Sequence, residues 1–368
     1  MDEYIYACAL HAVLLFRPRT ASALVEKFGS AKEVFNLSEN DLAAFLDRDT
    51  ETARMILSSG ITARAREEVK WAASKGVEIL VKGACAYPRL LEECADAPLV
   101  LYYKGSAGLN NTRTIAVVGT RLASGYGKEC CRRIMTHLKD AGKDPLIISG
   151  LAYGIDIAAQ KAALEHGLDT VAVLPGGLDI LYPAKHREIA KQMIRQGGVI
   201  TEFPRGMPPV KINFIKRNRI IAGMSQAVIV VESRIKGGAM STVEFANSYN
   251  RDIFAVPGRL DDANSYGCNY LISRNVAAIY SNASVLPAAL GWPGGMCRDT
   301  DLQPGLFSFD PAEKEKILLS LKSGLPVTVD SIVSFTGFGF DRTAGLLLDL
   351  ELEGRIMPAG GGRYVLRK

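Results

Sequence analysis

Between Glu202 and Glu232 the chain carries no acidic residue, yet Arg205, Lys211, Lys216, Arg217 and Arg219 all fall there. Lys and Arg neutralise phosphates and release counterions, the sequence-independent share of nucleic-acid affinity. Phe214 lies inside this cluster, and an aromatic face between cations offers a stacking platform worth about 1–3 kcal/mol per base. Asn213 and Asn218 add hydrogen-bond donors for phosphate oxygens or base edges. The chemistry expected of Lys211 to Arg219 is therefore the binding of single-stranded nucleic acid. The plain alternative is a solvated basic helix face with Phe214 as ordinary core.

Three glycine turns precede this segment. The first, Gly119-Thr120-Arg121-Leu122-Ala123-Ser124-Gly125-Tyr126-Gly127, follows an apolar run, and a glycine turn opening a helix aims free backbone N–H groups at an anion. It is not the GxGxxG dinucleotide fingerprint, because Arg121 takes the second glycine position, nor a Walker A loop, because Glu129 follows Gly127-Lys128. Dinucleotide and ATP binding both lose support, and no cofactor is expected. The other two turns carry Ser149-Gly150 and Gly176-Gly177, where small residues let a phosphate approach the backbone. Gly119, Arg121 and Ser124 join these four residues in the expected anion site. Asp156 and Asp179 are expected to cap helix N-termini. A further turn, Lys236-Gly237-Gly238, leads to Ser241 and Thr242, again suited to phosphate or to capping.

The elements that position these turns are legible as apolar, β-branched runs at Thr114–Val118, Leu146–Ile148, Thr170–Leu174, Val199–Phe203, Ala227–Val231 and Ile253–Val256. Each is followed by a turn and room for a helix, the pattern of a parallel sheet covered on both faces. Such sheets bind ligands at the carboxyl ends of their strands, where the glycine turns and the basic segment lie. Residues 1–80 read as a small helical domain, 81–285 as an extended Rossmann-like α/β domain, 286–308 as a linker rich in Pro and Gly, and 309–368 as a winged helix. The third helix of that last domain, expected over Asp341–Glu353, carries Asp341, Asp349, Glu351 and Glu353 against Arg342 alone. A duplex reader would be repelled by it, so a protein contact is expected there.

The formal charge of +5 and a pI near 8.7 do not by themselves separate a nucleic-acid binder from a metabolic enzyme. Seven cysteines, an odd number with no CxxC pair, and four histidines argue against a disulfide framework or a metal site and suit a reducing cytoplasm. The run Tyr4–Phe16 follows Asp2 and Glu3 and contains His11, so it reads as a buried helix, not a signal peptide. No membrane span is expected.

Taken together these residues resemble the bacterial DNA-processing protein A family (DprA, also called Smf). The resemblance lies in Val118-Gly119-Thr120-Arg121 with Ser124 and Tyr126-Gly127, and in Ser149-Gly150-Leu151-Ala152-Tyr153-Gly154-Ile155-Asp156. It continues through Ala172-Val173-Leu174 with Asp179, Tyr182-Pro183, and Arg217-Asn218-Arg219-Ile220-Ile221-Ala222-Gly223. It closes with Phe254-Ala255-Val256-Pro257-Gly258, Gly267, Asn269 and Leu271-Ile272. The resemblance implies a single-stranded DNA binder without a catalytic step, a homodimer joined near Tyr266 to Ile279, and a role in loading RecA recombinase during natural transformation. By motif position Arg121, Gly176 or Gly177, Lys211 and Phe214 resemble the family's phosphate and base contacts. Ile215-Lys216 departs from the family's usual proline before Arg-Asn-Arg, which bears on where Phe214 points, and His186 replaces a frequent Asn. The reading from another class is a nucleoside-monophosphate phosphoribohydrolase. Pieces of its motif occur at Pro175-Gly176-Gly177 and Gly238 to Glu244, with Glu244 as the acid.

Overall fold

The computed structural model describes residues 2–292, 310–322 and 325–367. They fall into two compact units, Met1–Gly295 and Met296–Lys368.

The first unit opens with six helices: α1 (Asp2–Val13), α2 (Pro18–Phe28), α3 (Ala31–Val34), α4 (Glu39–Phe45), α5 (Thr50–Leu57) and α6 (Ser59–Lys75). They are short because caps recur. Ser30, Ser38 and Asp49 accept the backbone N–H groups that would otherwise be orphaned at the starts of α3, α4 and α5. The apolar stripe of α1 (Ala7, Leu10) and Leu14 just after it are buried with Leu24, Leu42 and Ile56, and the same core takes in the strand residues Val100 and Tyr102. The helices thus share a core with the sheet.

The sheet is built from β1 (Glu78–Val81), β2 (Val100–Gly105), β3 (Thr114–Val118), β4 (Leu146–Ser149), β5 (Thr170–Val173), β6 (Gly197–Thr201), β7 (Ala227–Val230), β8 (Asp252–Ala255) and β9 (Ala278–Ile279). Its order is β1-β2-β6-β5-β4-β3-β7-β8-β9. From β6 to β9 every pairing is parallel, whereas β1 and β2 extend the sheet antiparallel. The intervening helices are α7 (Arg89–Glu92), α8 (Gly125–Asp140), α9 (Ile155–Glu165), α10 (Arg187–Arg195), α11 (Lys211–Gly223), α12 (Gly238–Ser248), α13 (Tyr266–Ser273) and α14 (Val285–Ala289). Helices α7, α11, α12 and α13 cover one face, through Leu91, Ile220, Val243 and Leu271. Helices α8 and α9 cover the other, through Ile134, Leu138, Ile155 and Ala159. Strands buried on both sides need apolar side chains throughout, and β3, β4, β5 and β7 are buried at every position. The fold class expected from the sequence is the one observed.

Of the segment 286–308 expected as a linker, Leu286 and Trp292 belong to the core under α8 and α9, and residues 293–309 lie outside the described residues. The second unit runs α15 (Pro311–Ser320), β10 (Val327–Thr328), α16 (Val329–Thr336), α17 (Phe340–Leu352), β11 (Ile356–Pro358) and β12 (Arg363–Leu366). Its three-stranded sheet has the order β10-β12-β11, over a core of Ile317, Leu321, Ile332, Leu346, Leu347, Leu350 and Ile356. This is the winged-helix order. Among the described residues no helix is long and apolar enough to cross a membrane.

Candidate nucleic-acid interface

Strands β4, β5 and β6 lie to one side of β3, and β7, β8 and β9 to the other. Where strand order reverses, neighbouring loops diverge and leave a crevice at the strand ends. A cleft of about 780 Å³ opens there. Its walls come from the loop after β3 (Gly119 to Arg121), the first two turns of α11 (Lys211, Phe214, Asn218), the loop after β7 (Arg234 to Gly238) and Tyr182. Its lining holds Arg121, Lys211, Arg217, Arg234 and Lys236 against Asp156 alone. Helix α12 begins at this cleft with Gly237 as N-cap and no side-chain cap bond, so its dipole adds to the positive potential.

Arg121 and Phe214 meet inside the cleft. The guanidinium carbon lies 4.7 Å from the ring centroid of Phe214, within cation–π range. The ring of Tyr182 meets Phe214 edge-on, with centroids 5.7 Å apart. Arg121 is held by its loop, which α9 approaches closely: Ile155 N–H donates to the Thr120 carbonyl at 3.1 Å. Gly154 permits that approach, because its φ is +81° and a β-carbon there would lie 2.6 Å from the Arg121 carbonyl. Ile215 is 46% exposed at the edge of the cleft, whereas Phe214 is half-buried within it and meets Arg121. The departure at 215 therefore leaves Phe214 aimed at Arg121.

Helical geometry divides the basic run that the sequence presents as one cluster. Lys211, Phe214 and Asn218 lie at i, i+3 and i+7 and form a wall of the cleft, whereas Asn213, Arg217 and Ile220 lie on the buried face, from which Arg217 reaches the cleft floor. Asn213 is buried and donates to the Pro208 carbonyl at 3.2 Å. Arg217 forms the floor, donating to the Val173 carbonyl at 2.9 Å beside the buried carboxyl of Asp156. Burial lowers the Arg217 pKa to about 10, against the pull of Asp156, so it stays cationic at neutral pH. Burial pushes the Asp156 carboxyl upward, and Arg217 opposes that shift. Arg219 lies outside the cleft in a buried ion pair with Glu202, and it also donates to the Asp96 carbonyl at 2.5 Å. Lys216 is half-buried, with its ammonium 3.3 Å from the ring centroid of Phe16 in the N-terminal helices. Expected as surface contacts, Asn213 and Arg219 are structural groups.

The glycine turns are corrected more sharply. At the start of α8 the anion position is filled from within: the buried Glu232 carboxylate accepts from Ser124 N–H at 3.0 Å and from the Ser124 hydroxyl. The Glu232 carbonyl accepts from Thr120 N–H at 2.7 Å. A β-carbon at Gly119 would lie 2.5 Å from Ile155, and one at Gly127 would press on the Glu232 carboxylate. Ser149 is buried and donates to the Val117 carbonyl at 2.6 Å, while Gly150 makes room for the Arg217 guanidinium. Gly176 and Gly177 are covered by the loop after β6, with Gly177 N–H donating to the Met207 carbonyl at 3.0 Å. These small residues are closely packed by the protein itself, and of them Gly119 also lines the cleft. Asp156 and Asp179 are not N-caps: α9 is capped by Gly154, and Asp179 accepts from Gly206 N–H at 3.0 Å. Arg234 was missed by sequence reasoning, since nothing before the topology is known tells that the β7 loop faces the β3 loop.

A doubly wound α/β protein with a cationic, aromatic-walled cleft at the reversal of strand order is the class these features define. Residues 78–290 match the family model described as DNA recombination-mediator protein A, and residues 308–362 match the DprA winged helix domain. The chain belongs to the DNA-processing protein A (DprA/Smf) family. Protein Smf of Synechocystis is 34% identical over 314 residues, covering 76% of this chain and 78% of that one. DNA processing protein DprA of Streptococcus pneumoniae is 39% identical over 200 residues, covering 54% of this chain and 70% of that one. The X-ray structure of the S. pneumoniae protein superposes with a TM-score of 0.68 at 30% identity, covering 78% of this chain and 97% of that chain. A structure of DNA processing protein A from Helicobacter pylori, a protein with a single-stranded DNA binding mode, superposes with a TM-score of 0.52 at 28% identity, covering 58% of this chain and 95% of that chain.

Proposed function

We propose that this protein binds single-stranded DNA in the cleft beside β3 and β7, without a catalytic step. The observation that carries the reading is the Arg121–Phe214 pair, flanked by Lys211, Arg234 and Lys236 at the reversal of strand order. A duplex keeps its bases stacked and out of reach, whereas a single strand can offer a base to Phe214 and its phosphates to the cations. The single-stranded DNA binding of the H. pylori relative supports the same ligand here. Arg121, Lys211 and Asn218 act from the walls, with Arg217 as the charged floor. Gly119, Ser124, Ser149, Gly150, Gly176 and Gly177 shape the backbone around them, and Lys216, seated on Phe16, contributes only longer-range charge. The recombination-mediator description of the matched family supports a further step in which the bound strand is handed to RecA recombinase during natural transformation in the cytoplasm. A homodimer through Tyr266 to Ile279 agrees with the exposed Tyr266, Tyr270 and Ile279 on that segment.

The phosphoribohydrolase reading fares worse. Its acid, Glu244, is exposed on α12 and does not line the cleft, and its Gly176-Gly177 piece is covered by the Met207 loop. Titrating a labelled oligothymidine at several salt concentrations tests the binding reading. Arg121→Ala with Lys211→Ala is expected to weaken binding at least tenfold and to lower the salt slope by about 2. Unchanged affinity and slope would reject the site.

A further inference from the structure

We propose that a second, smaller cleft around Trp71 takes the continuation of the same single strand, so that the chain holds DNA at two successive stations. The proposal rests on the binding reading above and extends it. The second cleft, of about 410 Å³, lies between α6, β2 and α10. Its lining cations are Lys75, Lys104, Arg187 and Lys191, the last ion-paired with Glu188 at 2.8 Å, and the one carboxylate in the lining is Asp179. Trp71 forms part of its wall, and Leu178 and Leu181 lie among its apolar lining.

Two features join it to the first cleft. Leu181 lines the Trp71 cleft and its chain neighbour Tyr182 lines the Phe214 cleft, so one stretch of chain contributes to both. The loop after β6 runs past both: Pro209 and Lys211 face the first cleft, while Arg205 places its guanidinium carbon 5.6 Å from the Trp71 ring centroid. That loop is fastened, since Arg205 N–H donates to Glu68 at 2.8 Å and Gly206 N–H to Asp179 at 3.0 Å. Two clefts joined by fastened chain, each with an aromatic ring and a group of cations, are what a strand needs to stack a base, cross and stack another. The four cations of the second cleft come from α6, β2 and α10, elements far apart in sequence, so no linear charge run marks it. A free phosphate or an acidic peptide would use the cations but has no base to stack on Trp71, so DNA is the ligand that uses the whole cleft.

The chain has two tryptophans, Trp71 and Trp292. Trp292 is buried, and its indole N–H has no hydrogen-bond partner among the described residues. Trp292→Phe therefore leaves a protein whose tryptophan emission reports on Trp71. An oligothymidine of about 20 nucleotides is expected to quench that emission, whereas one of about 6 nucleotides binds with little quenching. In the same background Lys75→Glu with Lys191→Glu is expected to weaken the long oligonucleotide at least fivefold and leave the short one within twofold. Anisotropy of labelled oligonucleotides separates the two ideas. Long DNA that binds with no change in Trp71 emission, or a length dependence untouched by the charge reversals, overturns the second station and spares the first cleft. If neither length binds, the first cleft fails and the second with it.

Discussion

Lys211 and Arg219 stand on one helix and differ in what their charge meets. Lys211 faces the open cleft, whereas Arg219 is 7% exposed and ion-paired to Glu202. Removing one member of a buried pair leaves the other charge uncompensated, at a cost of about 3–5 kcal/mol. Arg219→Ala is therefore expected to lower denaturant stability by that order, while Lys211→Ala changes stability by less than about 0.5 kcal/mol and loses oligonucleotide affinity instead. Equal stability of the two variants would reject the division. Phe214→Ala is expected to cost about 1–3 kcal/mol of binding, and Phe214→Trp to retain it; fluorescence titration with oligothymidine distinguishes them. The residue types that do this chemistry were legible in the sequence, because aromatic and basic side chains with no acid between Glu202 and Glu232 are visible without a fold. Which of them face outward was not. The division lies in the 3.6-residue period of α11, and separating 211, 214 and 218 from 213 and 217 requires knowing the helix's start and which face packs.

At the scale of elements, the parallel sheet could be read because strands buried on both faces must be apolar throughout, and β3, β4, β5 and β7 are. The antiparallel addition of β1 and β2 could not, since β2 joins the sheet through β6, about a hundred residues further on, and nothing local encodes that register. The glycine turns were misread for a similar reason. A glycine admits any close neighbour, and the sequence does not say whether that neighbour is a phosphate, a guanidinium or a carboxylate. At α8 it is Glu232, which satisfies Ser124 N–H from a strand end more than a hundred residues away. If Glu232 serves as a built-in anion there, Glu232→Ala strips the α8 N-terminus of its charge partner. A loss of about 1–3 kcal/mol is expected, with phosphate or sulfate raising the variant's melting temperature more than the wild type's. Equal anion responses would show that the carboxylate does not fill an anion site.

At the scale of the whole molecule, the second unit forms its own core, and its third helix offers little to a duplex. Arg342 is engaged with Glu313 at 2.7 Å, while Phe335, Phe340 and Leu348 are exposed. Residues 306–368 alone are expected to show no duplex binding at physiological salt by electrophoretic shift, and tight binding would count against a protein-contact role. In the first unit one of the contacts that tie the N-terminal helices to the sheet is a buried histidine. His11, buried on α1, bonds through Nε2 to the Glu202 carbonyl at 2.7 Å. Burial lowers its pKa to about 4, the backbone bond opposes that shift, and nearby Arg219 adds to it. In the unfolded chain the same ring titrates near 6.5. The unfolded state therefore takes up a proton first as pH falls, so this contribution is complete above about 6.5 and drains away toward 4, on the order of 3 kcal/mol in all. Glu202 works in the opposite direction. Burial raises its carboxyl to about 7 despite Arg219, so its contribution falls as pH rises from its unfolded value near 4.5. The two slopes offset each other in the intact protein, and a simple pH–stability curve would hide both. Comparison with His11→Gln, which keeps an N–H for the Glu202 carbonyl and removes the titration, isolates the first. The stability advantage of wild type over His11→Gln in denaturant titrations is expected to shrink steadily from pH 7 to pH 4.5. A difference that stays constant across that range would show that His11 does not couple protonation to the seating of the helices on the sheet.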